Sequence, residues 1–165
     1  MADGGASTYI MLITALLVSS SASAVLIQEW SSSSRVIQHQ QRGLQFSEEL
    51  GVDFAGDPMN VNLARTNPDT ITFYILNTGE HTMNETKMEV LIDGLSISSS
   101  EVTTSFVGSA TDWNPNVMVE VEVSNSSFNS YNDGDDISIF TTVVSDSVSG
   151  MSASASFGVE VRLDV

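Results

Sequence analysis

The hydrophobic pattern divides the chain into two regimes. From Ala6 to Ile27 runs ASTYIMLITALLVSSSASAVLI, twenty-two residues without a charge, between Asp3 and Glu29. As a helix this stretch is ~33 Å long, close to the hydrocarbon thickness of a bilayer. After Ile27 the all-round apolar character gives way to one stripe: Trp30, Ile37 and Leu44 recur every seven residues, widened by Val36, with Gln38 to Arg42 on the polar side. The helix is therefore predicted to continue to about Leu50. Ser31 to Ser34, poor helix formers, mark a candidate flexible joint.

Beyond Gly51 the period drops to two. Val117, Val119, Val121 and Val123 alternate with Met118, Glu120 and Glu122, and Phe157, Val159, Val161 and Leu163 repeat the alternation. Each predicts a strand with one core face and one wet face. Further strands are predicted around Ile71, Phe73 and Ile75, around Met88, Val90 and Ile92, and from Ile137 to Val143. Val61 and Leu63 predict another, broken by Asn67-Pro68, and Val102 to Phe106 one more. Asp93-Gly94 reads as a two-residue hairpin turn, and Gly134 and Gly150 mark others. About seven short strands and no second helix predict a mainly β chain with one long N-terminal α-helix, its residues 51–165 forming an antiparallel immunoglobulin-like β-sandwich and residues 1–50 the helix and its polar extension.

Three readings of the apolar segment compete. A cleaved secretory signal would want a basic leader, and Met1 to Gly5 offers only Asp3, although Ala22-Ser23-Ala24 has the form of a cleavage site. A buried soluble helix needs a larger domain than this one to hide it. A retained anchor is preferred, with Tyr9, Ile10, Leu12, Ile13, Leu16, Leu17, Val25, Leu26 and Ile27 in the membrane or in a filament core. Ala15, Ser19 and Ser23, spaced by four, allow close helix approach, as do Ser20 and Ala24. With Trp30, Ile37 and Leu44 they are the expected helix–helix contacts, and Trp30 stands where an interfacial aromatic belongs.

Charge sharpens the division. Of 21 acids against 5 bases, a net of −16, residues 51–165 hold seventeen acids against Arg65, Lys87 and Arg162, a net of −14. Such a surface repels nucleic acid and anionic lipid, and no nucleic-acid partner is expected. High acidity with so little lysine also fits a halophilic or marine protein, since salt screens self-repulsion. The alternative is an acidic surface that serves solubility alone. Zero cysteine excludes disulfides and thiolate metal sites.

Candidate chemistry is sparse. His39 and His81 have no evident sequence partner, no serine lies in a nucleophile elbow, and no phosphate loop or zinc spacing occurs. The chain is expected not to be an enzyme and to need no cofactor. Asn132-Asp133-Gly134-Asp135-Asp136 gathers oxygen ligands, and Asp133, Asp135 and Asp136 form a weak Ca²⁺ candidate that does not fit the EF-hand spacing. A solvated turn is the simpler reading. Asn84-Glu85-Thr86 and Asn125-Ser126-Ser127 match the N-glycosylation pattern and are expected in loops. Trp113, exposed in the loop GSATDWNPN, is expected to plug the end of its own sandwich or, as interfaces favour tryptophan, to meet a partner.

The order of parts resembles the archaellum accessory proteins called FlaG or ArlG and, more loosely, the archaellins and type IV pilin-like proteins. The features are a very short N-terminus before ASTYIMLITALLVSSSASAVLI, a polar helical continuation, TITFYILNTGEHTM followed by EVLIDG, and DGDDISIFTTVV. The resemblance implies an archaellin-like architecture and a structural part in archaellum motility. The helix would be anchored in the cytoplasmic membrane with the acidic domain outside, on an archaeal cell surface. A stator-like protein would assemble with like subunits and a sister accessory protein, and would grip the surface layer. Archaellins carry a basic residue before their processing site, and Met1-Ala2-Asp3-Gly4-Gly5 has none, so a filament-forming archaellin-like subunit is the alternative. A membrane-tethered ligand or Ca²⁺-binding module is the alternative of another class.

Overall fold

A computed structural model describes residues 4–165, so Met1, Ala2 and Asp3 of the segment weighed as a leader lie outside the described residues. Helix α1 spans Gly4–Glu48, and nine strands follow: β1 (Val52–Ala55), β2 (Val61–Ala64), β3 (Thr70–Asn77), β4 (Met83–Ile92), β5 (Leu95–Ser96), β6 (Val102–Phe106), β7 (Met118–Ser124), β8 (Asp136–Ser145) and β9 (Ser154–Asp164). A short 3-10 helix, Ser126–Ser130, precedes β8. The chain divides after Arg42 into two compact units, so the last turn of α1 belongs with the strands.

Helix α1 contains no proline and passes unbroken through Ser31 to Ser34. Serine disfavours helices because its hydroxyl competes for backbone groups. Here that competition is settled inside the helix: Ser32 Oγ donates to the Glu29 carbonyl at 2.9 Å.

The strands form two layers joined by one of them. One layer runs β5-β4-β8-β9 and the other β2-β3-β7-β6, with β1 also on β3. β9 is antiparallel to β8 along its length, and its end then lies parallel to β2, pairing Val61 with Leu163. β1 and β2 occupy successive halves of one edge of β3, interrupted at residues 56–60, where Gly56 has φ 126°. This split edge accounts for two of the nine strands. β1 escapes sequence detection because only Val52 of its four residues is fully buried.

Period-two burial is clearest in β3, β7 and β8, where every second residue faces the core. In β9 only Val161 and Leu163 are buried, and Phe157 and Val159 are half-buried. Asp93 and Gly94 both have positive φ, 50° and 77°, the geometry of the tight hairpin that joins β4 to β5. Asp93 also accepts hydrogen bonds from the Ser138 backbone and the Tyr131 hydroxyl, tying that hairpin to β8.

Trp113 is fully buried and not exposed, so of the two expectations only the plug survives. Its Nε1 donates to the Val117 carbonyl, while its own carbonyl accepts from Met83 N and from Asn77 Nδ2. Asn77 is fully buried as well, and its amide spends a second hydrogen on the His81 carbonyl. Buried polar groups are tolerable when satisfied in this way.

The start of the sandwich is fixed by a close backbone crossing. Thr78 N and Gly79 N both donate to the Gly51 carbonyl, and Glu80 N donates to the Glu49 carbonyl. Phe46, in the last turn of α1, is buried with its ring 4.5 Å from that of His81. His81 Nε2 lies 2.8 Å from Glu49 Oε2. Histidine 81 thus has a partner that sequence spacing did not reveal.

Three outcomes are expected for the full chain in detergent. A Cβ at position 79 would stand 2.8 Å from the Glu49 carbonyl oxygen, so Gly79→Ala should lower unfolding stability by about 3 kcal/mol in a urea titration. Thr141 is buried and its hydroxyl has no hydrogen-bond partner, so Thr141→Val should raise stability by about 1 kcal/mol in the same assay. Burial, and then the hydrogen bond to Asp93, pushes the Tyr131 phenol up from 10.0 to about 12. A raised folded value favours the protonated phenol, so the stability it contributes is complete below pH 10 and lost as pH climbs through about 12. Tyr131→Phe should reduce that alkaline loss.

Candidate assembly surface

The apolar part of α1 is exposed around its circumference. Tyr9, Ile10, Leu12, Ile13, Leu16, Leu17, Val25, Leu26 and Ile27 are each more than half exposed, and Ala15, Ser19 and Ser23 lie bare between them. The helix is long and apolar enough to cross a membrane by length and composition. Its hydroxyls do not spoil that surface. Thr14 donates to the Ile10 and Met11 carbonyls, Ser20 to Leu17, Ser21 to Val18 and Ser23 to Ser19, all at 2.9 Å. A hydroxyl already bonded to its own helix loses little when water is removed, in lipid or against another helix.

Farther along, Trp30, Ile37 and Leu44 are exposed at 79%, 53% and 65%. Trp30 and Ile37 flank a groove of about 290 Å³ together with Ser33, Ser34, Gln38 and Gln41. The buried residue of the last turn is Phe46 rather than the stripe residue Leu44. Arg35 and Arg42, seven apart and so on one side of the helix, are exposed. No acid lies between Glu29 and Glu48.

The sandwich presents the opposite character. On the outward face of the β1-β3-β7-β6 layer, Tyr74, Leu76 and Met118 are half-buried and Asp53 and Glu122 are exposed. Pairing of Asp53 with Leu76, Leu76 with Met118, and Tyr74 with Glu120 puts them on this side. Tyr74 donates to Glu120 Oε2 at 2.8 Å. That hydrogen bond, then burial and the charges of Glu120 and Glu122, raises the Tyr74 phenol above its ordinary range.

Several sequence candidates do not converge into sites. Asp133 Oδ1 accepts from Val165 N, Asp135 Oδ2 from Asn132 N, and Asp136 holds Arg162 through two hydrogen bonds. Among the described residues no three ligating side chains gather to hold a metal, so the Ca²⁺ candidate is a turn whose carboxylates are engaged one by one. Asn84 lies within β4 and not in a loop, at a bulge before Met88. Its Nδ2 donates to Asp146. Asn125 caps the 3-10 helix, accepting from Ser127 N while its Nδ2 donates to Glu101. Both acceptor asparagines therefore use their amides in holding the fold. His39 is exposed on the helix, away from any cluster.

Among the described residues the exposed apolar surface is concentrated on the helix. No curated protein matches the chain. Solved structures that share part of it include two of differing kinds. A yeast GGA1 GAE domain is 14% identical over 67% of this chain and 88% of that one, with a TM-score of 0.30. The CooA pilin subunit from enterotoxigenic Escherichia coli is 10% identical over 69% and 99%, with a TM-score of 0.25. Both are too distant to carry a functional argument. The model of the archaeal-type flagellin family matches residues 2–157, nearly the whole chain and both of its regimes. That family is structural and not enzymatic, and this chain belongs to it.

Proposed function

We propose that the chain is a filament-forming subunit of an archaeal-type flagellum, with α1 packed among the helices of other copies and the acidic sandwich turned outward at the cell surface. The carrying observation is a helix bare on every side in which Thr14, Ser20, Ser21 and Ser23 are already bonded to carbonyls of their own helix. Such a rod is compatible with lipid before assembly and with a helical core after it. Ala15, Ser19 and Ser23 are the proposed points of close helix approach, and Tyr9 to Ile27 the apolar packing surface. Residues 1–50 and 51–165 divide the labour between packing and display.

The family match is to flagellins and not specifically to the FlaG or ArlG accessory proteins, so it favours the filament subunit over the stator-like part. A sister accessory protein and the surface layer have no counterpart among the features that support this reading.

Filaments sheared from the native cells are expected to contain the chain as a major component. Leu16→Asp places a charge in the apolar surface, and it should remove the chain from sheared filaments while leaving the sandwich folded by circular dichroism. Recovery of the wild-type chain solely in membranes, with none in filaments, would overturn the proposal and restore the anchored reading.

A further inference from the structure

We propose that the Trp30, Ile37 and Leu44 stripe of α1 is covered by α1 of a neighbouring copy, so that helix-to-helix contact runs beyond the apolar segment as one narrow seam, up to the turn that holds the sandwich. The inference rests on the filament reading and adds to it which side of the upper helix meets a partner.

Helical geometry separates this seam from the charges. At about 100° per residue, Trp30 and Leu44 lie within about 20° of Ile37, and Ser19, Ser23, Leu26, Ser33 and Gln41 within about 40° of it. The stripe therefore continues down into the apolar segment without a charged residue. Arg35 and His39 stand about 160° from Ile37, Arg42 about 140° and Glu29 about 80°. Phe46 stands about 160° from Leu44. It is Phe46 that is buried, with its ring 4.5 Å from that of His81, while Leu44 is 65% exposed. The last turn of α1 thus uses its other side on its own sandwich and leaves Leu44 turned away from it.

Three coverings compete for the seam, and two fit poorly. Lipid suits the stretch from Ala6 to Ile27, whose helical length of ~33 Å already fills the hydrocarbon layer. Ile37 and Leu44 lie about 15 Å and about 25 Å farther along. A neighbour's sandwich carries −14, and its exposed large apolar side chains, Met59, Leu95, Val107, Phe140, Val148 and Val165, are scattered over different strands and turns. Among the described residues, α1 itself is the element that offers a long apolar surface without charge. The groove of about 290 Å³ between Trp30 and Ile37 is a hole for a side chain of such a helix, and Ser33, Ser34, Gln38 and Gln41 give it a neutral hydrogen-bonding rim. Copies displaced along a filament axis meet out of register, which an uncharged seam tolerates and a row of charge pairs would not.

The test uses the full chain produced in filament-forming cells. Ile37→Glu and, separately, Leu44→Glu set an unpaired charge in the seam and should cut the yield of sheared filaments by about tenfold or more. His39→Glu, on the far side of the same stretch, should leave the yield within about twofold of wild type. A second measurement needs no charged variant. The chain has no cysteine, so Ile37→Cys and His39→Cys each carry a single thiol. In intact filaments a water-soluble maleimide should label Ile37→Cys about tenfold more slowly than His39→Cys, and the difference should vanish once the filaments are dissociated in detergent. Wild-type yield from Ile37→Glu, an equal loss from His39→Glu, or equal labelling in intact filaments overturns the seam and leaves the filament reading in place. Absence of the wild-type chain from filaments overturns both.

Discussion

An apolar helix with no dry side is the constraint from which the rest of the structure follows. The eleven large apolar side chains from Tyr9 to Ile27 that stand exposed would together release on the order of 20 kcal/mol if fully covered. Association costs roughly 4–15 kcal/mol in lost freedom, so coverage by lipid or by other helices wins even after that cost is met. The serines dilute the segment without reversing the balance, and the hydroxyls of Ser20, Ser21 and Ser23 are already bonded to the carbonyls of Leu17, Val18 and Ser19. A protein carrying such a segment is organised around its partners.

The sandwich answers the opposite requirement, standing in water without help. Its layers are joined by β9, which pairs with β8 and then with β2 at its end, so the two sheets cannot separate without breaking that strand's pairing. The Asn77–Trp113 contact and the Gly51–Gly79 crossing fix the end nearest the helix. Phe46 and His81 extend that order into the last turn of α1. Beyond the core the acids dominate, and their mutual repulsion is a function of salt: the screening length falls from about 10 Å at 0.1 M to about 3 Å at 1 M. Crowding many copies of a −14 domain is correspondingly easier in concentrated salt.

Much of this was legible in the chain itself. The apolar run, the seven-residue stripe and the alternation in β3, β7 and β8 announce themselves because burial on one face leaves a periodic trace. What escaped was set by long-range packing. VDFA has too few core residues to register as β1 and is a strand because β3 offers it an edge. Phe46 lies off the Trp30–Ile37–Leu44 stripe and is buried because His81, thirty-five residues later, comes to meet it. Trp113 sits in a polar loop, and its burial depends on Met83, Asn77 and Val117. Asn84 reads as a loop residue until the bulge in β4 shows how a strand accommodates it. The apolar helix surface was the reverse case: its exposure could be anticipated from sequence, since exposure of apolar side chains on a helix needs no tertiary partner.

Sheet edges decide by which route such a chain polymerises. A free strand edge is a template for another chain, and a β-sandwich has edges to spare. Here they are blunted. β5 has two residues, and the part of β4 that it leaves uncovered is irregular between Asn84 and Met88 and carries exposed Lys87. The outer edge of β3 is shared by two four-residue strands with a Gly-Asp-Pro break between them. β6 is five residues long and begins directly after Glu101. Short, bulged and charged edges resist strand addition, so repeated contact between copies is directed away from the sheets' backbone and onto side-chain surfaces. The helix, apolar on every side from Ala6 to Ile27 and free of backbone groups left to satisfy except at its ends, is the element in this chain suited to carry an ordered polymer.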